Sequence, residues 1–213
     1  MRTKLLIGII VILSFAFVFK IVVFDNVNFL CQIAEGLDDP STLYYFTIER
    51  IFKIAEKGAV GKSLTENIST GENRHLHYLY IRILGVTGEN DTIPCLMKTY
   101  IEHQHQNSGE SKSMRHIVIR SLGFIGDEKV NPFLEKILNE QHHDKMLNFV
   151  IAEALYLLTG ERHDFINWQG NEEKLFVSKE LMQARQVILD TKGKKRKFED
   201  MIILDRLLRP PGR

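Results

Sequence analysis

Apolar side chains recur along this chain at helical spacing. The clearest stripes are Ile93, Leu96, Met97, Tyr100 and Ile101, and Val130, Phe133, Leu134, Ile137 and Leu138. Both follow i, i+3, i+4, i+7, i+8, which gathers the apolar side chains on one helix face. The segments that precede them, His75–Val86 and Met114–Ile125, are apolar on more than one side; the first carries Leu76, Leu79, Tyr80 and Ile83 but also Tyr78, Ile81 and Leu84. A helix of that kind is buried between neighbours. A helix is also predicted from Ser41 or Thr42 to about Glu56, with Tyr44, Tyr45, Ile48, Ile51, Phe52 and Ala55 on its apolar face. Asp144 is placed to cap a further one over Lys145–Thr159. Another is expected from about Asn171 to Asp190, and a last one over Phe198–Arg209. The polar stretches Glu66–Arg74 and Gln104–Ser113 read as loops.

Two stretches repeat. Arg82–Leu96 (R-I-L-G-V-T-G-E-N-D-T-I-P-C-L) and Arg120–Leu134 (R-S-L-G-F-I-G-D-E-K-V-N-P-F-L) align at an offset of 38 residues. They share Arg82/Arg120, Leu84/Leu122, Gly85/Gly123, Gly88/Gly126, Pro94/Pro132 and Leu96/Leu134, and match Glu89 with Asp127 in kind. A Gly closes one helix because it tolerates the left-handed conformation. The acid suits the positive start of the next helix, and the Pro sits in the first turn, where its missing N–H does no harm. Leu158-Thr159-Gly160-Glu161 repeats the ending without a following Pro, and Arg50–Leu64 reads as a divergent earlier copy. A period near 40 residues is that of stacked helical pairs. The pattern R-x-L-G-x-x-G-[DE] before a Pro-started amphipathic helix resembles HEAT-like repeats, in the short form also found in phycobilin-lyase-type proteins. The resemblance covers residues 75–160 and implies an all-α fold, a short α-solenoid, with its clearest repeats at 75–106, 114–140 and 144–160. Such arrays end in atypical units, which makes Trp168 a candidate to pack over the end of the stack.

Residues Leu5–Phe24 are apolar except for Lys20. Twenty residues at ~1.5 Å each span ~30 Å, the hydrocarbon thickness of a bilayer. Arg2 and Lys4 precede the run, which favours an N-terminus in the cytoplasm. The favoured reading is an uncleaved signal anchor over residues 1–24, a linker over 25–40, a repeat domain over 41–190 and a basic segment over 191–213. A cleaved signal peptide needs a small-x-small site, and the nearby Ser14-x-Ala16 lies inside the apolar run. Asn28-Phe29-Leu30 before Cys31 lacks the small residues of a lipoprotein site, and a buried core helix is the remaining alternative. The membrane readings all export the body of the chain, which places it on the outer, periplasmic side of a bacterial-type cytoplasmic membrane.

Charge is uneven. Residues 25–191 hold 17 basic and 24 acidic side chains, a net charge of −7, whereas residues 192–213 hold eight basic and three acidic. That balance gives no support to nucleic-acid binding by the body. The run Lys192–Lys197 (K-G-K-K-R-K) reads as a solvated turn before a last packed helix; contact of residues 192–209 with anionic lipid is the alternative.

The candidate chemistry is thin. His75-x-His77, His103-x-His105 and His142-His143 are clustered, but residues two apart do not share a helix face. No H-E-x-x-H or C-x-x-C occurs, and Cys31 and Cys95 read as two buried thiols. Gly61-Lys62-Ser63 lacks the first Gly and the preceding strand of a phosphate loop. Arg82 and Arg120 recur with the repeat, which points to structural roles, with carbonyls or Glu89 and Asp127 as their partners. The sequence nominates no catalytic, cofactor-binding or metal-binding residues. It points to a non-catalytic, membrane-anchored scaffold that presents its helices to an envelope protein. The resemblance to bilin lyases keeps an enzyme or enzyme subunit as an alternative, and the His clusters and basic tail keep a metal- or lipid-binding factor as another.

Overall fold

A computed structural model describes residues 26–37, 42–58, 60–71, 76–140, 144–167 and 169–208. The described residues are mostly helical, as the all-α reading expects. Their ten helices are α1 (Val27–Glu35), α2 (Thr42–Ala55), α3 (Gly61–Thr70), α4 (His77–Thr87), α5 (Ile93–His103), α6 (Gly109–Ile125), α7 (Asn131–Asn139), α8 (Lys145–Thr159), α9 (Lys179–Asp190) and α10 (Phe198–Leu208). Strands β1 (Asp164–Ile166) and β2 (Glu172–Lys174) form one antiparallel ribbon, with Phe165 opposite Glu173. The apolar segment 5–24, Trp168, His75, His142 and His143 lie outside the described residues. No helix among the described residues is long and apolar enough to cross a membrane.

The helices apolar on several sides form the centre. α4, α6 and α8 pack side by side, with α6 between the other two. Every residue from Leu79 to Thr87 of α4 is buried. The amphipathic helices α3, α5 and α7 each lie along the helix that follows them. Their buried faces are the predicted stripes: Ile93, Leu96 and Tyr100 on α5, and Leu134 and Ile137 on α7. Ile101, at the edge of its stripe, is exposed.

The repeated residues have repeated geometry. α4 closes at Gly88 (φ 73°) and α6 at Gly126 (φ 81°), both left-handed, and α8 closes the same way at Gly160. Pro94 and Pro132 lie in the first turns of α5 and α7. The other shared glycines serve close approach. A Cβ on Gly85 would fall 2.6 Å from the Cα of Ser121, and one on Gly123 would fall 2.8 Å from the Cα of Ala154. The row is therefore pinned twice, α4 on α6 and α6 on α8, at matching points of the repeat.

Several sequence expectations differ from the structure. The stretch 25–40, read as a linker, contains α1, which buries Val27, Leu30, Cys31 and Ala34 against α2. The loop expected over 66–74 begins later, because α3 runs to Thr70; Leu64 and Ile68 bury its inner face, and Asn67 donates to Asn28 Oδ1 at 2.7 Å. The helix expected from Asn171 starts at Lys179, where Ser178 accepts from the Leu181 N–H; the preceding residues form β2. That ribbon covers a small satellite core of Ala152, Phe165, Leu175 and Val177.

Candidate functional site

The most organised polar chemistry lies where the C-terminal segment crosses the helix row. α10 rests on α2, α4 and α6 and buries Met201, Leu204 and Asp205. Asp205 carries the only carboxylate of that buried face, and it meets Arg82 of α4. Arg82 Nε donates to Asp205 Oδ1 at 2.7 Å and Nη2 donates to Oδ2 at 2.9 Å, a two-point fork. Nη1 donates to the Tyr44 hydroxyl at 2.9 Å. The pair is buried, with Asp205 1% exposed. Two parallel charge-assisted bonds in a site closed to water fix direction as well as charge.

Arg196, the fifth residue of the six-residue run 192–197 that is otherwise made of lysines and one glycine, is the second anchor of this segment. Its Nη1 donates to Gly85 O at 3.0 Å and Val86 O at 2.9 Å. Its Nη2 donates to Phe124 O, and to Ile125 O at 3.3 Å. These are terminal carbonyls of α4 and α6, groups that no later turn of either helix can satisfy. One planar fork thus caps two helices and neutralises two negative dipole ends. Burial pushes the guanidinium down to about 10, partly offset by Asp200, so it stays charged at neutral pH. The lysines around it are exposed: Lys192 pairs with Glu128 at 2.6 Å, and Lys53 stands 5.2 Å over the Phe198 ring. The run is a solvated turn, as the sequence suggests, except for Arg196. The apolar face of α10, the part expected to meet lipid in the alternative reading, is occupied within the chain.

The repeated arginines differ from expectation in their partners. Neither Glu89 nor Asp127 pairs with them. Arg82 takes Asp205, and Arg120 takes Glu153 of α8 at 3.2 Å. Glu89 instead accepts from the Gly61 N–H at the start of α3; burial pushes its carboxyl above the ordinary value, with that bond and Lys195 opposing. Asp127 caps the short turn after α6 by accepting from the Lys129 N–H at 3.0 Å.

A third cluster joins α6 and α8. Arg115 Nη1 donates to His103 O at 2.9 Å and Gln106 O at 2.7 Å, and its Nη2 donates to Asp144 Oδ2 at 3.3 Å. His116 Nε2 lies 3.2 Å from the same Asp144 oxygen. Asp144 also caps α8 through the Leu147 N–H at 3.1 Å, as its position in the sequence predicts.

The histidines and cysteines are less organised. A cleft of about 510 Å³ between α3, α5 and the start of α6 carries His77, Cys95, Lys98, Glu102 and His103 on its walls. His103 Nδ1 is 3.1 Å from Ser111 Oγ, and His105 is exposed. Among the described residues no group of three or more His, Cys, Asp or Glu side chains is arranged to hold a metal ion. Both cysteines are free; Cys31 is buried and Cys95 half-buried. Burial raises the pKa of both thiols, which leaves them poor nucleophiles.

Sequence reasoning missed Asp205 and Arg196. A signal existed for Asp205: it sits four residues from Met201 and beside Leu204, an acid on an apolar stripe. Arg196 carries only a weak one, a lone Arg among lysines. No known protein family, curated protein or solved structure matches the chain.

Proposed function

We propose that this protein is a non-catalytic scaffold or adaptor of the cell envelope, a short α-solenoid of HEAT-like helical pairs. Residues 5–24 anchor it in the cytoplasmic membrane with the N-terminus inside, and the helical body lies on the extracytoplasmic side. The observation that carries this reading is the repeated close contact of the row, Gly85 on Ser121 and Gly123 on Ala154, at matching points of a repeated motif. Units that recur with their packing geometry build surface by stacking, and stacked helices serve recognition. The recurring arginines fit the same view, since both are used in holding helices together. Leu43, Phe46, Met146, Phe176 and Met182 are exposed, Phe176 to 82%, and give partners apolar contacts.

The test is crosslinking in intact membranes followed by pull-down of the full-length protein, with a version lacking residues 1–24 as the control. A stoichiometric envelope partner, retained by the shortened version, supports the adaptor. Well-folded protein that captures nothing defeats it.

A further inference from the structure

Exposed apolar surface gathers where the body begins. Among the described residues nine large apolar side chains are exposed, and four of them, Phe29, Leu43, Tyr45 and Phe46, belong to α1 and α2. Leu43 and Phe46 are 54% and 58% exposed and lie three positions apart, so they share a helix face. Arg50 and Lys53 continue that face, seven and ten positions after Leu43, with Glu49 beside them. The other side of α2 is taken: Tyr44, Ile48, Ile51 and Phe52 are buried where the helix packs on α1, α4 and α10. Apolar and aromatic tips followed by basic side chains on one face are what a helix lying at a membrane surface presents. The rings enter the headgroup layer and the cations meet phosphate.

The chain itself limits how far this surface can lie from the bilayer. The apolar run ends at Phe24, and only Asp25 and Asn26 stand between it and α1. At up to ~3.6 Å per extended residue, the three steps from Phe24 to Val27 reach roughly 11 Å. Asn26 is extended (φ −87°, ψ 105°), and its side chain accepts from the Phe29 N–H at 3.2 Å, so α1 starts at a cap of its own. α1 and α2 pack on each other, so a tether at the start of α1 also holds α2. The other exposed rings have no such tether. Phe176, the most exposed of the nine, follows the ribbon that packs on α8, at the opposite end of the row from α4, on which α1 and α2 rest.

We infer that the exposed surface of the α1–α2 pair, centred on Leu43 and Phe46, is seated on lipid: its occupant is the headgroup layer of the same bilayer that holds residues 5–24. The seat ties the α4 end of the helix row to the membrane. Leu43 and Phe46 then go to lipid, and Met146, Phe176 and Met182 are left for protein partners. This rests on the anchor in the adaptor reading and adds which part of the body meets the membrane.

The test uses the full-length protein with W168F, which removes the only native tryptophan. Single tryptophans are placed by L43W, F46W, I101W or F176W, all at exposed positions. Each protein is reconstituted into vesicles of phosphatidylcholine and phosphatidylglycerol, with the phosphatidylcholine either plain or brominated high in its acyl chains. L43W and F46W are expected to lose most of their emission to the brominated lipid, and I101W and F176W little. Adding F46E to L43W is expected to restore much of its emission, with helical circular dichroism unchanged. Alkaline extraction reports the anchor separately, because embedded protein stays in the vesicles. Embedded protein in which L43W and F46W are quenched no more than F176W overturns the inference and leaves the anchor standing. An unquenched F46W with blue-shifted emission gives the surface to a second copy of the chain and overturns it as well. Quenching of L43W that F46E leaves unchanged overturns it too, since the tether alone then brings α2 near the lipid. Protein extracted by alkali defeats the anchor and the seat together. Quenching that follows the expected pattern, with no partner captured in the membrane crosslinking, upholds the seat and defeats the adaptor alone.

Discussion

At the scale of single residues, buried charge does most of the specifying. Arg82 and Asp205 are both closed to water, and each is tolerated because of the other. Truncating either alone leaves an uncompensated charge, so R82M or D205L is expected to lose about 3–5 kcal/mol in urea unfolding. The double variant R82M/D205L is expected to recover most of that loss, since a well-packed apolar pair often replaces a buried ion pair at little cost. Additive losses would show that the two side chains act separately. His116 provides a pH-dependent counterpart. Burial lowers its pKa from the ordinary 6.5, Asp144 opposes this, and Arg120 and Arg115 reinforce it. The unfolded chain therefore takes up a proton near 6.5 that the folded chain refuses until lower pH. The His116 contribution is complete above 6.5, falls as pH drops towards the lowered value, and then levels off. Glu153 acts oppositely: burial raises its carboxyl above 4.5, with Arg120 only partly offsetting, so its contribution is lost as pH rises through that range. The two are separated by comparing urea midpoints of the parent and H116Q between pH 5 and 8. The difference between the curves is expected to change below 6.5 and stay flat above it.

At the scale of elements, the repeat motif carries two kinds of instruction. Gly88, Gly126, Pro94 and Pro132 say where helices stop and start, and these boundaries were legible because they depend on local backbone chemistry. Gly85 and Gly123 say how closely helices approach, which a single sequence hints at only through recurrence. In an exposed helix, Gly→Ala stabilises by about 1 kcal/mol. Here the added Cβ would meet backbone atoms of the next helix, at 2.6 Å from Ser121 Cα and 2.8 Å from Ala154 Cα. G85A and G123A are therefore expected to destabilise by about 1–3 kcal/mol, the range for an overpacked core, with thermal unfolding as the measurement. A rise in melting temperature would mean that the helices separate freely. The elements that were not legible have physical reasons. α3 buries a short stripe among polar residues, so its helicity owes more to its neighbours than to its own pattern. α1 follows directly on an apolar run that masks its stripe of Val27, Leu30, Cys31 and Ala34. The ribbon's strands are three residues each, too short to show alternation. The pairing of Arg82 with Asp205 spans 123 positions and leaves no local trace.

At the scale of the molecule, protection is graded from the centre outward. α4, α6 and α8 are buried on several sides and share one apolar core, whereas the ribbon sits over a separate small one. Regions with dense apolar contact open last. Hydrogen–deuterium exchange of the full-length protein is expected to be slowest in α4, α6 and α8 and markedly faster in β1 and β2. Equal rates would show that the molecule opens as a single unit. The organisation that decides this order was visible in outline, because helices apolar all round must lie inside. The crossing of the row by α10 was not visible, because an apolar stripe says that a face is buried without saying against what.

The double cap made by Arg196 also bears on the order of synthesis. Residues 85 and 86 and residues 124 and 125 are finished by a side chain that is added 71 to 111 positions later. Until that residue is made, two central helices end in bare carbonyls lying next to each other. A chain that stops short of Arg196 therefore leaves both helix ends without the side chain that joins them. The finished chain conceals them with a single guanidinium.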